Sequence, residues 1–137
     1  MKKILCLGLV LGCVAGFVLG CAGKDLPGDL EKDTIIEECH NIIDMVNDRD
    51  FQGVVDLFRD DLKEQLTADA LGQALNQPLD QLGDFVKYKT ESVAAAKEDN
   101  TDKDMAAAVI GVEYSEGSIS YVISFDTDMK VIGLYLK

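Results

Sequence analysis

Four cysteines and one histidine are the most reactive side chains of this chain. The cysteines are Cys6, Cys13, Cys21 and Cys39, and the histidine is His40. A structural zinc site needs about four Cys, His or carboxylate ligands at characteristic spacings. Three of the cysteines lie in or beside one apolar run near the N-terminus, so only Cys39 and His40 remain as neighbours. The sequence therefore predicts no metal site and no cofactor, and we expect Cys39 to be a buried free thiol.

The apolar run has the layout of a secretory signal. Lys2 and Lys3 form a basic start, and residues 4–20 carry no charged side chain. Such a segment directs export and is removed from the mature protein. The run approaches the ~20 residues that span a bilayer, so an uncleaved anchor is the alternative. Recurrent glycines in the run, and the lack of a basic cluster after it, favour cleavage.

Val18-Leu19-Gly20-Cys21 resembles the signal of bacterial lipoproteins, in which an apolar residue, a further residue and a small residue precede a cysteine. The resemblance implies cleavage between Gly20 and Cys21 and a diacylglyceryl group on the Cys21 thiol. The domain would then be anchored in the cell membrane and face outside the cytoplasm. Leu19 stands where the family more often has a small residue. Val10-Leu11-Gly12-Cys13 repeats the pattern, so Cys13 is the rival acceptor.

Length and charge limit the domain and its partners. Removing residues 1–20 of 137 leaves 117 residues, which suits one domain. We place a flexible tether at residues 21–31 and the domain at residues 32–137. The full chain has 25 acidic and 13 basic residues, for a net charge of −12. Because a surface this acidic repels phosphate groups, nucleic acid is excluded as a partner.

The spacing of apolar residues predicts three helical units in the first half of the domain. Apolar side chains recur every three or four positions in residues 31–48, 51–66 and 67–76. The second unit should be kinked or divided near Arg59, and Thr67 should cap the third. We expect a further turn to begin at Pro78. The third unit should bury four residues, Ala70, Leu71, Ala74 and Leu75.

From Phe85 onward the spacing is that of strands. Residues 106–114 and 118–125 alternate along the chain, and short turns join them to segments at 85–95 and 131–136. Strands joined by short turns form an antiparallel meander. The sequence therefore predicts an α+β fold, with three helical units on a curved four-stranded antiparallel sheet. The sheet face that the helices cover should carry Ile110, Val112, Tyr121, Ile123 and Phe125.

Three segments in this order resemble the bacterial domain of unknown function 3887 family, within the nuclear transport factor 2-like, cystatin-like superfamily. They are the unit from Ile43 to Phe58, the Leu82-Gly83-Asp84-Phe85 junction, and the hairpin from Ile123 to Leu134, in which Met129 replaces a common glycine. The resemblance spans residues 42–136. It implies a helix-capped, curved sheet that forms a cone with a pocket, and it implies no activity.

The pocket of such a cone would be lined by Tyr88, Tyr114 and Tyr121, with Asp84 or His40 near its mouth. Alternating aromatic residues on strands are more often core residues than catalytic ones, so we expect no catalytic residue. We expect a non-catalytic domain that binds a small ligand or a protein. Members of the superfamily that the chain resembles often pair through the sheet, so the resemblance implies a homodimer. The alternatives are a small pocket enzyme of the ketosteroid-isomerase-like type and a structural envelope protein.

Asp126-Thr127-Asp128 matches the first residues of a calcium-binding loop, but the residues that follow do not match it. Such a loop needs a glycine at position six and a glutamate at position twelve. Val131 and Lys137 occupy those positions. The segment is therefore predicted to be a hairpin turn, which aspartate favours.

Overall fold

The computed structural model describes residues 26–98 and 101–137. The predicted signal peptide, with its cleavage site at Gly20 and Cys21, lies outside the described residues, as do residues 21–25 of the tether. In the described residues, four helices precede four strands. The helices are α1 (Lys32–Asn47), α2 (Phe51–Asp56), α3 (Asp60–Lys63) and α4 (Ala68–Leu82). The strands are β1 (Phe85–Lys97), β2 (Asp104–Tyr114), β3 (Gly117–Asp126) and β4 (Val131–Leu136).

Helix α1 forms the main cover of the sheet. Its apolar residues recur every three or four positions, so they line one side of the helix, and that side is fully buried. The buried residues are Ile35, Cys39, Ile42, Ile43 and Val46. The second predicted unit is divided into α2 and α3, with Arg59 at the start of α3. The predicted division is therefore confirmed.

Helix α4 corrects the prediction for the third unit. It begins after Thr67, whose Oγ1 accepts a hydrogen bond of 3.1 Å from the Ala70 N–H, as predicted. It then continues through Pro78 to Leu82 as one helix. Proline removes one backbone donor, but Leu79 beyond it is buried in the same stripe as Leu71 and Leu75, which favours a continuous helix.

Two of the four residues expected to be buried in this helix are exposed. Ala70 and Ala74 face solvent, whereas Leu71 and Leu75 are buried. Each residue advances the helix by ~100°, so the stripe of leucines turns both alanines away from the core. The alanine positions were assigned to the wrong side because alanine fits either side of a helix.

The sheet is an antiparallel meander in the order β1-β2-β3-β4. Ile110 lies opposite Tyr121, and Ala106 lies opposite Phe125. Strand β1 has two register shifts, at Val86 and at Lys89, where its ladder with β2 is interrupted. Helices followed by a four-stranded antiparallel sheet confirm the predicted α+β fold.

The two faces of the sheet differ in their environment. On the inner face, Ile110, Val112, Tyr121, Ile123 and Phe125 are fully buried, as predicted. We use the name outer face for the residues that alternate with them. Its central part carries no charged side chain and includes Ala94, Ala107, Val109, Gly111, Ser120, Val122, Ser124, Gly133 and Tyr135.

Candidate functional site

Two of the predicted pocket tyrosines share a buried hydrogen-bond chain. The hydroxyls of Tyr114 and Tyr121 lie 2.6 Å apart, and the Tyr114 hydroxyl donates to Asn47 Oδ1 at 2.7 Å. The Tyr121 hydroxyl therefore donates to Tyr114. Both side chains are buried, and this burial raises the pKa of Tyr114 and of Tyr121. These hydrogen bonds give both phenol groups a partner inside the apolar core.

The third tyrosine belongs to a separate, half-buried cluster. The ring of Tyr88 stacks on His40, with centroids 3.8 Å apart and planes 7° from parallel. Its hydroxyl lies 3.4 Å from Asp44 Oδ1, while His40 Nε2 contacts the carboxylate of Glu91. Burial, and then the Asp44 carboxylate, raise the pKa of Tyr88. The ring of Phe85 stands between the clusters, 5.0 Å from Tyr88 and 6.1 Å from Tyr114 between centroids.

The fifth candidate, Asp84, is away from both clusters. It is exposed at the junction of α4 and β1, where its backbone N–H donates to Ser115 Oγ at 2.9 Å. The sequence interpretation also missed Asn47 and Glu91, which are partners of the predicted residues. Residues 40, 44 and 47 are spaced by four and three, so they share one side of α1. That spacing was the available signal for a polar stripe against the sheet.

We expect the hydroxyl groups of Tyr114 and Tyr121 to contribute unequally to the free energy of unfolding. In Tyr114→Phe, the wholly buried Tyr121 hydroxyl loses its partner, so the free energy of unfolding should fall by about 1–3 kcal/mol. In Tyr121→Phe, Tyr114 keeps its bond to Asn47, and the loss should be about 0.5–1.5 kcal/mol. Urea denaturation of both variants measures the difference. A larger loss for Tyr121→Phe would contradict this direction of donation.

Two surface cavities lie away from the tyrosines. One, of about 630 Å³, follows the exposed side of α4 beside Phe51, where Gln73, Asn76 and Gln77 line it. The other, of about 460 Å³, lies where the β1–β2 and β3–β4 turns meet. Arg59 and two lysines line this second cavity, together with the aspartates of the turns.

Arg59 links the two turns at the second cavity. Its Nη1 lies 2.7 Å from Glu98 and 3.7 Å from Asp126, and its Nε lies 2.8 Å from Asp61. Burial opposes ionisation of Glu98, but hydrogen bonds from Arg59 and Thr101 keep the pKa of Glu98 below its usual value. The guanidinium is already matched by carboxylates, so Arg59 does not offer an uncompensated positive charge to an anion.

Cys39 is a free thiol inside the core, which confirms the prediction of a buried thiol. Burial, followed by the carboxylates of Glu38 and Glu91, raises the pKa of Cys39 to about 12. Because thiol reactivity requires the thiolate, this cysteine is unreactive at neutral pH. It is therefore not available as a nucleophile in the folded domain.

Within residues 26–98 and 101–137, none of the helices is both long and apolar enough to cross a membrane. In the same part of the chain, no group of three or more His, Cys, Asp or Glu side chains is arranged to hold a metal ion.

Comparison with known proteins gives a structural relative and a family. No curated protein is significantly similar to the chain. The NMR structure of a protein from Ruminococcus gnavus ATCC 29149 matches it with a TM-score of 0.69 and 25% identity, over 82% of this chain and 96% of the other. The model of the family described as "Protein of unknown function (DUF3887)" matches residues 39–134. The match covers most of the chain, which therefore belongs to the DUF3887 family.

Proposed function

We propose that this protein is an exported lipoprotein whose domain is held outside the cytoplasm by a diacylglyceryl group on Cys21. The observation that carries the proposal is the order of features in the sequence. A basic start at Lys2 and Lys3 precedes the uncharged run of residues 4–20, which ends in a small residue and then Cys21. A lipid on Cys21 anchors the domain at the membrane and does not require a membrane-spanning segment.

The position of the first helix supports this proposal. Helix α1 begins at Lys32, directly after the proposed tether of residues 21–31. Leu30, the residue before the helix N-cap, is already buried in the core. The free part of the tether therefore ends before Leu30, and it is short enough to keep the domain close to the membrane.

Replacing Cys21 is expected to abolish lipid attachment. Cells that express the wild-type protein with a palmitate analogue should incorporate the label, and cells that express Cys21→Ser should not. Cys13→Ser is the matched control, because Cys13 lies in the segment that cleavage before Cys21 removes. Cells that express this variant should still incorporate the label. Label that persists in Cys21→Ser, or that is lost only in Cys13→Ser, would exclude Cys21 as the acceptor.

The domain is proposed to bind a partner on its surface, as a nuclear transport factor 2-like cone whose interior is its own core. Support comes from the inner face of the sheet, where Tyr121, Ile123 and Phe125 are fully buried. The phenol groups of Tyr114 and Tyr121 are satisfied by each other and by Asn47. A partner would therefore bind the outside of the domain.

The outer face is the surface that we assign to a partner, and we propose a second copy of this chain as that partner. The full chain has a net charge of −12, and removal of Lys2 and Lys3 with the signal makes the mature protein more acidic still. Two such copies repel one another, least where charged side chains are absent. The central outer face meets this condition. At its ends, Lys87 pairs with Glu113 at 3.9 Å and Lys97 with Asp104 at 2.7 Å, so the charges there are already compensated.

A negative charge at the centre of the outer face should disrupt the dimer. In the detergent-solubilised protein, Val122→Glu would place a carboxylate against its symmetry mate, and we expect sedimentation as a monomer where the wild type sediments as a dimer. Gln73→Glu adds the same charge to the exposed side of α4 and should leave the dimer intact. A wild type that is monomeric at all concentrations would contradict pairing through this face.

A further inference from the structure

We infer that the domain stands on the membrane in one orientation, with the β1–β2 and β3–β4 turns toward the polar lipid head groups. This inference rests on the proposed lipid anchor at Cys21. We call the end with these two turns, at residues 98, 101–103 and 126–130, the proximal end. We call the opposite end, with the β2–β3 turn at Ser115 and Glu116, the distal end.

The chain enters the domain at the proximal end. Gly28 lies against the β3–β4 turn, so close that a Cβ atom on it would be 3.4 Å from the Cβ of Thr127. Two residues later, Leu30 is buried in the core, and its N–H donates to the Pro27 carbonyl at 3.3 Å. The last part of the tether is therefore packed beside a turn of the proximal end.

The direction of α1 agrees with this entry point. Along the helix, His40 contacts Glu91, then Asp44 lies beside Tyr88, and finally Asn47 binds Tyr114. These partners follow one another toward the distal end of the sheet, because β1 starts there and β2 ends there. The N-terminus of α1 is therefore at the proximal end and its C-terminus at the distal end.

The remaining length of the tether limits how far the proximal end can move from the lipid. Four residues lie between Cys21 and Leu26, and the five extended steps from one to the other span at most ~18 Å. Strand β3 runs from Gly117 to Asp126, which at ~3.3 Å per residue places the two ends about 30 Å apart. The tether is thus too short for the domain to invert and rest on its distal end.

The surface chemistry of the two ends fits this orientation. The proximal end carries the polar cavity around Arg59, so its described residues have no apolar surface there for insertion among acyl chains. Its aspartates do not attract phosphate groups, so the tether, and not charge, holds this end near the head groups. Among the described residues, the exposed large apolar side chains are Phe85, Val86 and Tyr135. Phe85 and Val86 begin β1 at the distal end, so they face away from the membrane and are available to a partner there.

The orientation also constrains the proposed dimer. Both lipid anchors must enter the same membrane, so both proximal ends must lie on the same side of the pair. When two outer faces pack together, only a two-fold axis along the strands meets this condition. The strands of the two copies would therefore both run along the membrane normal.

Energy transfer to the bilayer surface tests the orientation. Asp128→Cys at the proximal end and Glu116→Cys at the distal end are matched, because each replaces an exposed carboxylate in a turn. Each lipidated variant is labelled with a donor dye and reconstituted into phosphatidylcholine vesicles with acceptor dye on a fraction of the head groups. The buried Cys39 thiol stays unlabelled. We expect severalfold more efficient transfer from position 128 than from position 116.

The result separates the orientation from the anchor. Equal transfer from the two positions, or more efficient transfer from position 116, would overturn the orientation while vesicle flotation still showed the anchor. The same two variants carrying Cys21→Ser, produced as chains that begin at residue 21 so that the apolar run of residues 4–20 is absent, should neither float with the vesicles nor transfer energy. Flotation of those proteins would overturn the proposed anchor itself.

Discussion

Replacing Phe125 with alanine is expected to lower the free energy of unfolding by about 3–5 kcal/mol, the usual cost of deleting a buried aromatic ring. Phe125 has no exposed surface. It lies opposite Ala106 on β2 and Val131 on β4, so its ring projects onto the inner face from a central strand that backbone hydrogen bonds hold on both sides. Because these backbone hydrogen bonds keep the strands in place, most of the cavity that the deleted ring leaves should remain. Urea denaturation measures the change.

The control for this variant is Val86→Ala. Val86 is 49% exposed at a register shift of β1, so its truncation should change the free energy of unfolding by no more than about 0.5 kcal/mol. A loss below about 1 kcal/mol for Phe125→Ala would show that the face assigned to the core is wrong.

Alkaline pH is expected to destabilise the domain strongly, through groups that the core keeps neutral. Burial raises the pKa of Cys39 to about 12, and it also raises the pKa of Tyr114 and Tyr121. In the unfolded chain these groups ionise near pH ~8.5 and ~10. The unfolded state therefore releases protons first, and stability that is fully present below these values is lost as the pH rises. Each group lowers the free energy of unfolding by about 1.4 kcal/mol per pH unit where it is ionised in the unfolded chain and still neutral in the folded domain.

Two variants identify the groups responsible. Cys39→Ala should flatten the decrease between about pH 8 and 9, where the thiol of the unfolded chain ionises ahead of the tyrosines. Tyr121→Phe should leave that range nearly unchanged and reduce the slope well above pH ~10 by about 1.4 kcal/mol per pH unit. Urea denaturation at a series of pH values gives these slopes. If wild type and Cys39→Ala had equal slopes between about pH 8 and 9, the thiol would not be the group that titrates there.

The sheet and α1 were predictable because their residue patterns have one interpretation. In β3, the large residues Tyr121, Ile123 and Phe125 alternate with the smaller Val122 and Ser124, so a single register puts all three large residues in the core. In α1, the spacing of isoleucines leaves only one side that can be buried. Where large apolar residues alone decide which side faces inward, local pattern and tertiary structure agree.

The other elements depended on information that local pattern lacks. Pro78 marks a break in sequence terms, yet Leu71, Leu75 and Leu79 form one buried stripe across it. The partners of His40 and Asn47 lie on β1 and β2, 51 and 67 residues away along the chain. Spacing on α1 puts such residues on one side, but only the packed sheet supplies their partners.

The central claim is that Cys21 becomes the lipid-bearing N-terminus of the mature protein. Intact-mass spectrometry of the wild-type protein, purified from membranes, tests this most directly. The account predicts a chain that begins at Cys21, heavier than the polypeptide by a diacylglyceryl group. A chain that retains residues 1–20, that begins at Cys13, or that begins at Cys21 without lipid would contradict it.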